Sequence, residues 1–107
     1  MSERIRRIRA MLAKNPRDVF LQYGLGMECA GEGHFEQAVE AFRKCMELDE
    51  NYLPAYVEAG KCLRSAGKLA EAREAFAAGM ERAALRGEKH TRDFIQQQLD
   101  SIPPDDR

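Results

Sequence analysis

An internal repeat of 34 residues constrains the fold of this chain more than any other feature of its sequence. When the sequence is shifted against itself by 34 positions, eight residues coincide in order and without a gap. The pairs are Gly26 with Gly60, Gly33 with Gly67, Ala38 with Ala72, Glu40 with Glu74, Ala41 with Ala75, Phe42 with Phe76, Met46 with Met80 and Glu47 with Glu81. A period of about 20–50 residues is typical of proteins that stack one small unit on the next. We therefore assign residues 19–52 to repeat one and residues 53–86 to repeat two.

Each repeat is predicted to form two helices. Apolar residues recur at i, i+3, i+4 and i+7 over residues 35–46 and again over residues 69–80, as they do on the buried face of a helix. The first half of each repeat, residues 18–31 and about 52–65, has a weaker pattern of the same kind. Asp18 is suited to the N-cap of the earlier helix, because its carboxylate can accept a hydrogen bond from a free backbone N–H. The sequence therefore predicts an all-α fold.

Two glycines are predicted to end the first helix of each repeat. Gly33 and Gly67 follow these helices, where glycine adopts the left-handed conformation without a steric penalty. The chain can then reverse direction at once. We therefore expect each repeat to be a tight antiparallel hairpin.

Two further glycines, Gly26 and Gly60, lie inside the first helices, where glycine is about 1 kcal/mol less favourable than alanine. A close approach of the second helix would offset this loss. The residues predicted to face the glycines, Ala38 and Ala72, are also small. We therefore expect each hairpin to cross at an alanine and a glycine.

The segments outside the repeats are predicted to add one helix at each end of a single domain, residues 1–107. Residues 2–14 have an amphipathic pattern. Its buried face is predicted to contain Ile5, Ile8 and Leu12. Residues 88–101 are predicted to form a capping helix, followed by a frayed tail at 102–107. The inward side of the capping helix is predicted to carry Phe94, Ile95, Leu99 and Ile102.

The charge of the chain is nearly balanced but unevenly distributed. The formal net charge is −1, with +5 over residues 1–17 and −7 over residues 18–60. A general nucleic-acid binder usually carries a large basic excess, so we do not expect one here. The N-terminal helix carries Arg4, Arg6, Arg7 and Arg9. These arginines indicate either complementarity with the acidic middle of the chain or, as a minor alternative, contact with an anionic surface.

The residues needed for catalysis or for binding a cofactor do not form a recognisable pattern. The three cysteines, Cys29, Cys45 and Cys62, have no CxxC spacing, so neither a disulfide framework nor a zinc site is indicated. Reduced thiols favour a cytoplasmic location. His34 and His90 are predicted to be solvated, and no glycine-rich phosphate loop is present in the sequence. We therefore expect a non-enzymatic protein without a cofactor, a metal or a membrane span.

The pattern of small and aromatic residues resembles the tetratricopeptide repeat. Repeat one matches the family pattern at Gly26, Gly33, Phe35, Ala38, Phe42 and Cys45. Repeat two matches it at Tyr56, Gly60, Gly67, Leu69, Ala72, Phe76 and Gly79. Repeat one departs from it at Gln22, where the family has an aromatic residue, and at Cys29, where a tyrosine is common. A register shifted by one residue, with Leu21 turned inward, is the alternative for this helix.

The resemblance implies a right-handed stack of about six helices, arranged as antiparallel hairpins with a concave groove. In this family the groove binds a peptide or a helix of another protein. The groove positions that we expect to contact the partner are Phe20, Tyr23, Met27, Val57, Lys61 and Arg64. Such a surface suits an amphipathic segment with an acidic end.

Two other interpretations of this surface remain. The apolar residues of the groove are alternatively covered by the N-terminal helix, or by a second copy of the chain in a self-associating structural module. Some members of the family hold a carboxylate with a clamp of Lys, Asn and Arg. The corresponding positions here are Tyr23, Met27, Glu58, Glu88 and Arg92. Only Arg92 matches, so the clamp is excluded.

Overall fold

A computed structural model describes residues 2–103. Over this range the chain forms six α-helices and no β-strand, so the all-α prediction is confirmed. The helices are α1 Glu3–Lys14, α2 Val19–Gly31, α3 Phe35–Leu48, α4 Leu53–Ser65, α5 Leu69–Leu85 and α6 Lys89–Asp100. Each helix packs mainly on the next one along the chain. Helices α2 and α3 form the hairpin of repeat one, and α4 and α5 form that of repeat two.

Side chains and proline define where several helices begin. Asp18 Oδ1 accepts a hydrogen bond from the Leu21 backbone N–H at 3.0 Å, which confirms Asp18 as the N-cap of α2. Ser2 Oγ accepts one from the Ile5 N–H at 3.2 Å at the start of α1. Pro54 lies in the first turn of α4. A backbone N–H in this turn has no acceptor within the helix, so proline can stand here without loss of a helical hydrogen bond.

Left-handed glycines close the turns between helices. Gly33 and Gly67 both have a φ of +78°, as predicted from their positions. The His34 N–H donates to the Cys29 carbonyl oxygen at 2.8 Å, which ties the turn to the end of α2. A third turn, at Gly87 with a φ of +70°, joins α5 to α6 in the same way. The chain therefore reverses direction by the same means three times.

The glycines inside α2 and α4 each lie against the ring of a phenylalanine. A Cβ atom on Gly26 would lie 2.7 Å from Cδ1 of Phe42, and one on Gly60 would lie 2.6 Å from Cδ1 of Phe76. Both phenylalanines are fully buried. In each hairpin, a phenylalanine ring of the second helix thus packs directly on the backbone of the first helix at a glycine.

The closest contacts of these glycines are made by the phenylalanines and not by Ala38 and Ala72, the residues predicted to face them. Both alanines are fully buried, but the atoms nearest to the glycines belong to the phenylalanines four residues later. Side chains on a helix lean toward its N-terminus, so the ring of Phe42 covers the turn that holds Ala38.

The first helix of repeat one keeps the register of the repeat alignment. Gln22 is buried, like Tyr56 at the matching position of repeat two, and Leu21 is only half-buried. The alternative register, shifted by one residue, is therefore wrong, although Leu21 also packs partly against the core.

Helix α1 packs on α2 through one apolar face. Ile5 and Leu12 are buried and Ile8 is half-buried, as predicted. On the same side, Arg4 Nη1 lies 3.5 Å from Glu28 Oε1 of α2. One of the four arginines of α1 thus complements the acidic middle of the chain.

Helix α6 covers the end of the stack with a narrower face than predicted. Ile95 is fully buried, Ile102 is buried and Leu99 is half-buried. Phe94 is exposed, so its predicted inward orientation is wrong. Residues 95 and 99 share one helical face, whereas position 94 lies about 100° around the helix from position 95.

The chain after α6 is packed against α5. Arg73 donates a hydrogen bond to the Pro103 carbonyl oxygen, and Ile102 belongs to the main apolar core. The prediction of a frayed tail is therefore wrong for residues 102 and 103. The rest of that predicted tail, residues 104–107, lies outside the described residues.

Candidate functional site

An apolar stripe formed by Phe20, Tyr23 and Met27 runs along α2. These residues are three and four positions apart, so they lie on the same face of the helix. The side chain of Phe20 is 75% exposed and that of Met27 is 41% exposed. Because α1 packs elsewhere on α2, the interpretation in which the N-terminal helix covers this stripe is wrong.

Tyr23 joins the apolar stripe to the core. Its ring centroid lies 5.6 Å from that of Phe42 and 5.4 Å from that of Tyr52, in tilted and edge-on arrangements. Burial raises the pKa of the Tyr23 hydroxyl, and the charge of Glu58 raises it further. The two ends of the stripe, Phe20 and Met27, are therefore exposed, whereas Tyr23 between them packs on the core.

Val57 lies at the floor of a shallow cleft beside the start of α4. The side chain is buried within the core, with 8% of its surface exposed. The cleft has a volume of about 430 Å³. Its other lining residues include Tyr52, Pro54, Glu58, Arg86 and Thr91. Val57 thus offers a partner a small apolar floor rather than a projecting side chain.

The two predicted basic residues of α4 are both engaged within the chain. Lys61 Nζ lies 3.6 Å from Glu58 Oε2, one turn earlier on the same helix. The guanidinium carbon of Arg64 lies 5.7 Å from the ring centroid of Phe76, and Arg64 Nη1 donates to Ser101 Oγ at 2.7 Å. Lys61 is still partly exposed, whereas Arg64 holds the end of α6 against the hairpin of repeat two.

Glu58 also belongs to this surface, although it is not one of the six predicted contact residues. It lies near both Tyr23 and Lys61 and is mostly buried. The i, i+3 spacing of Glu58 and Lys61 is the signal that predicts this pair. With Glu58 included, one of the two positive charges predicted for the surface between α2 and α4 is balanced within the chain.

The cysteines lie inside the fold as free thiols. Burial raises the pKa of Cys45 and of Cys62 to about 11, and it raises that of Cys29 as well. Thiolates are the reactive form of cysteine, so these thiols are chemically inert at neutral pH. Among residues 2–103, His, Cys, Asp and Glu form no group of three or more that is placed to hold a metal. None of the helices described is long and apolar enough to cross a membrane.

Two antiparallel hairpins of one 34-residue unit, stacked between flanking helices, define a helical repeat protein. The family model for the tetratricopeptide repeat matches residues 30–88. The chain is also 38% identical over 79 residues to the TPR repeat-containing protein PA0015 of Pseudomonas aeruginosa, a match that covers 74% of this chain and 75% of that protein. The chain belongs to the tetratricopeptide repeat family.

Solved structures with the same architecture agree with this assignment. Protein BPP2914 of Bordetella parapertussis superimposes with a TM-score of 0.80 at 29% identity, over 95% of this chain and 89% of its own. The type III secretion translocator chaperone SycD of Yersinia enterocolitica superimposes with a TM-score of 0.82 at 22% identity, over 92% of this chain and 68% of its own. The predicted right-handed stack of helix hairpins is confirmed.

Proposed function

We propose that this protein is a non-enzymatic interaction module that binds an amphipathic segment of a partner protein on the surface between α2 and α4. The observation that carries the proposal is the exposure of Phe20, 75%, beside Met27 on the same face of α2. Contiguous apolar residues on a soluble protein mark partner sites. SycD, which shares the fold, is a type III secretion translocator chaperone, and this supports a protein partner.

The six predicted contact residues have different parts in this proposal. Phe20 and Met27 are the anchors that enter the partner, because their side chains project into solvent. Tyr23 and Val57 form the apolar floor between the anchors and the cleft. Lys61 supplies the basic end that an acidic residue of the partner approaches. Arg64 fixes the edge of the surface through Ser101.

The binding partner is then a helix or peptide with apolar residues on one side. A helix laid across this surface would present residues at i, i+3 or i+4, and i+7 to the apolar stripe. The near neutrality of Glu58 with Lys61 disfavours a strongly charged ligand. Apolar contact supplies most of the affinity in this interpretation.

The test uses the double variant Phe20→Ala with Met27→Ala. Both side chains are exposed, so we expect the melting temperature to stay nearly unchanged while capture of a cellular partner, quantified by mass spectrometry, is lost. Met11→Ala is the matched control, since Met11 is 46% exposed on α1 and is not part of the apolar stripe. Equal capture by the wild-type and double-variant proteins would contradict the proposal. Tyr23 is left intact because its truncation would remove packing on Phe42.

Self-association is a second candidate function, favoured by exposed residues near the C-terminal end of the stack. Leu85 and Phe94 are 69% and 46% exposed. A short stack buries a small core, and packing against a second copy would bury more apolar surface. Light scattering over a wide concentration range tests this candidate. A monomer at high concentration excludes it.

A further inference from the structure

Helices α1, α3 and α5 lie side by side and form one broad side of the stack. A cleft between α1 and α3 has Gln22 and Leu25 of α2 at its floor. On the other side of α3, Arg43 Nη2 lies 3.8 Å from Glu71 Oε1 of α5. Gln22 follows Phe20 by two residues, or about 200° around the helix. This side of the stack therefore lies across α2 from the apolar stripe.

The repeat places matching residues of these three helices at the same levels. Helix α1 ends at Lys14 and α3 ends at Leu48, 34 positions later, so α1 continues the register of the repeats. Residues 34 positions apart then project in the same direction from the stack. Three such sets are exposed and define what we call the outer face: Arg6, Glu40 and Glu74; Ala10, Lys44 and Ala78; and Ala13, Glu47 and Glu81.

Charges of opposite sign lie at opposite edges of the outer face. Helix α1 carries Arg6, with Arg9 and Lys14 exposed beside it, whereas α5 carries Glu74 and Glu81. Helix α3, between them, carries both signs. None of these charged side chains forms an ion pair within the part of the chain that the structure describes. The outer face thus has one basic edge and one acidic edge, and both lack partners among the described residues.

We propose that two copies of this chain associate through their outer faces. A two-fold axis that runs parallel to the helices, between the two copies, places α1 of each copy against α5 of the other. This rotation keeps every residue at its own level along the helices. Arg6 therefore meets the partner's Glu74, and Ala10 meets the partner's Ala78. The basic edge of each copy lies on the acidic edge of the other, and symmetry makes each contact twice.

Short side chains allow the paired helices to approach each other. The distance between packed helices depends on the side chains at the contact, and Ala10 and Ala78 are both small and exposed. Along the two-fold axis α3 lies on the partner's α3. Lys44 is then within one turn of the partner's Glu40 and the partner's Glu47. The centre of the interface therefore also joins opposite charges.

The mixture of signs favours a second copy over an anionic lipid or nucleic-acid surface. Such a surface would attract Arg6 but repel Glu40 and Glu74, which lie on the same face. This inference rests on the second candidate function, self-association, and assigns the surface that performs it. The surface between α2 and α4 stays open in this dimer, so the dimer is able to bind a partner protein as well.

Sedimentation equilibrium of the full chain tests the proposal. We expect a monomer–dimer equilibrium whose dissociation constant rises at least about fivefold between about 0.05 M and about 1 M sodium chloride, because salt screens exposed charges. A monomer at every concentration in low salt would overturn both this proposal and self-association. A dimer that does not respond to salt would overturn the outer face alone and leave self-association through Leu85 and Phe94.

Charge reversal tests which residues meet. Arg6→Glu and Glu74→Arg should each weaken the dimer by at least about tenfold, because like charges then meet at both symmetric contacts. An equal mixture of these two variants should form a mixed dimer as tightly as the wild type does, since each contact again joins opposite charges. A mixture that stays monomeric would overturn the arrangement. Lys89→Glu is the control, since Lys89 is exposed on α6 and should dimerise as the wild type does.

Two further measurements separate the other occupants of this face. Vesicles containing phosphatidylserine should not retain the chain. Retention that Arg6→Glu abolishes, with a monomer in sedimentation, would assign the basic edge to an anionic surface and overturn the proposal. The double variant Phe20→Ala with Met27→Ala should dimerise as the wild type does. Loss of its dimer would place the interface on the apolar stripe instead.

Discussion

The ring of Phe42 occupies the space that a side chain at Gly26 would need, because a Cβ atom there would lie 2.7 Å from ring carbons of Phe42. Both residues are buried, and Phe42 belongs to the main core. The same relationship holds between Gly60 and Phe76. The absence of a side chain at these two positions is therefore a packing requirement of each hairpin.

The first prediction concerns alanine at Gly26 and Gly24, two of the three glycines of α2. Gly26→Ala should lower the free energy of unfolding by about 1–3 kcal/mol, since the overlap with Phe42 outweighs the better helix propensity of alanine. Gly24→Ala is the matched control. No atom lies within 4 Å of a Cβ placed at Gly24, so stability should rise by up to about 1 kcal/mol. Urea unfolding of both variants checks this, and a shift in the same direction for both would contradict it.

The second prediction concerns the turn between α2 and α3. Gly33→Ala should destabilise the protein by about 1–2 kcal/mol, because its φ of +78° places a Cβ atom against the following carbonyl oxygen. Gly31→Ala, two residues earlier, should cause no loss, since Gly31 is helical and a Cβ there meets no atom within 4 Å. Gly33→Asn should lose less than Gly33→Ala, because asparagine tolerates this conformation. Thermal unfolding should give the highest melting temperature for Gly31→Ala, a lower one for Gly33→Asn and the lowest for Gly33→Ala.

The third prediction concerns the contact between Arg64 and the end of α6. Arg64→Ala removes two contacts of the guanidinium, one with the ring of Phe76 and one with Ser101. The cation–π contact with Phe76 contributes about 0.5–1 kcal/mol to stability. Hydrogen exchange at the backbone amide of Ile102 should become severalfold faster. Lys61→Ala is the control, because Lys61 pairs only with Glu58 among the described residues. Equal exchange in both variants would show that Arg64 does not hold this segment.

The fourth prediction concerns alkaline pH. The pKa of Cys45 and of Cys62 is about 11 in the folded chain, against the ordinary value of 9.0. Between these values the unfolded state loses protons that the folded state keeps, so stability falls as the pH rises from about 9 to about 11. The slope is at most about 1.4 kcal/mol per pH unit for each thiol, and it vanishes below about pH 9.

Urea unfolding from about pH 8 to about pH 11 measures this slope. The double variant Cys45→Ala with Cys62→Ala is the reference. Three tyrosines also have a raised pKa, mainly through burial, and this part of their contribution is common to both proteins. The charge of Cys45 also raises the pKa of Tyr23 and Tyr52, so the difference between the curves includes this smaller coupling. Parallel curves for the wild type and the variant would contradict the prediction.

Most of the fold could be predicted because its signals are local in the sequence. The left-handed turns follow from Gly33 and Gly67, and the start of α2 follows from Asp18, since each depends on one residue and its backbone. Contacts between helices were harder to predict. Phe42 rather than Ala38 meets Gly26 because side-chain direction along a helix decides the contact, and the spacing of small residues does not record it.

The surface between α2 and α4 could be predicted only in part. Helical spacing places Phe20, Tyr23 and Met27 on one face, but it does not record that Tyr23 packs on Phe42. Arg64 has the position of a free basic residue in the repeat. Its guanidinium instead donates a hydrogen bond to Ser101, 37 positions later. A contact between residues so far apart does not appear in the helical periodicity of the sequence.

The order in which the helices pack also bears on how the chain folds. Each helix makes most of its contacts with its neighbours along the chain, and α2 and α4 touch only slightly. Contacts of this short range can form before the ends of the chain approach each other, so we expect rapid folding that starts in either hairpin and spreads to the other. A chain cut between α3 and α4 should yield two fragments that recombine into the native arrangement when mixed.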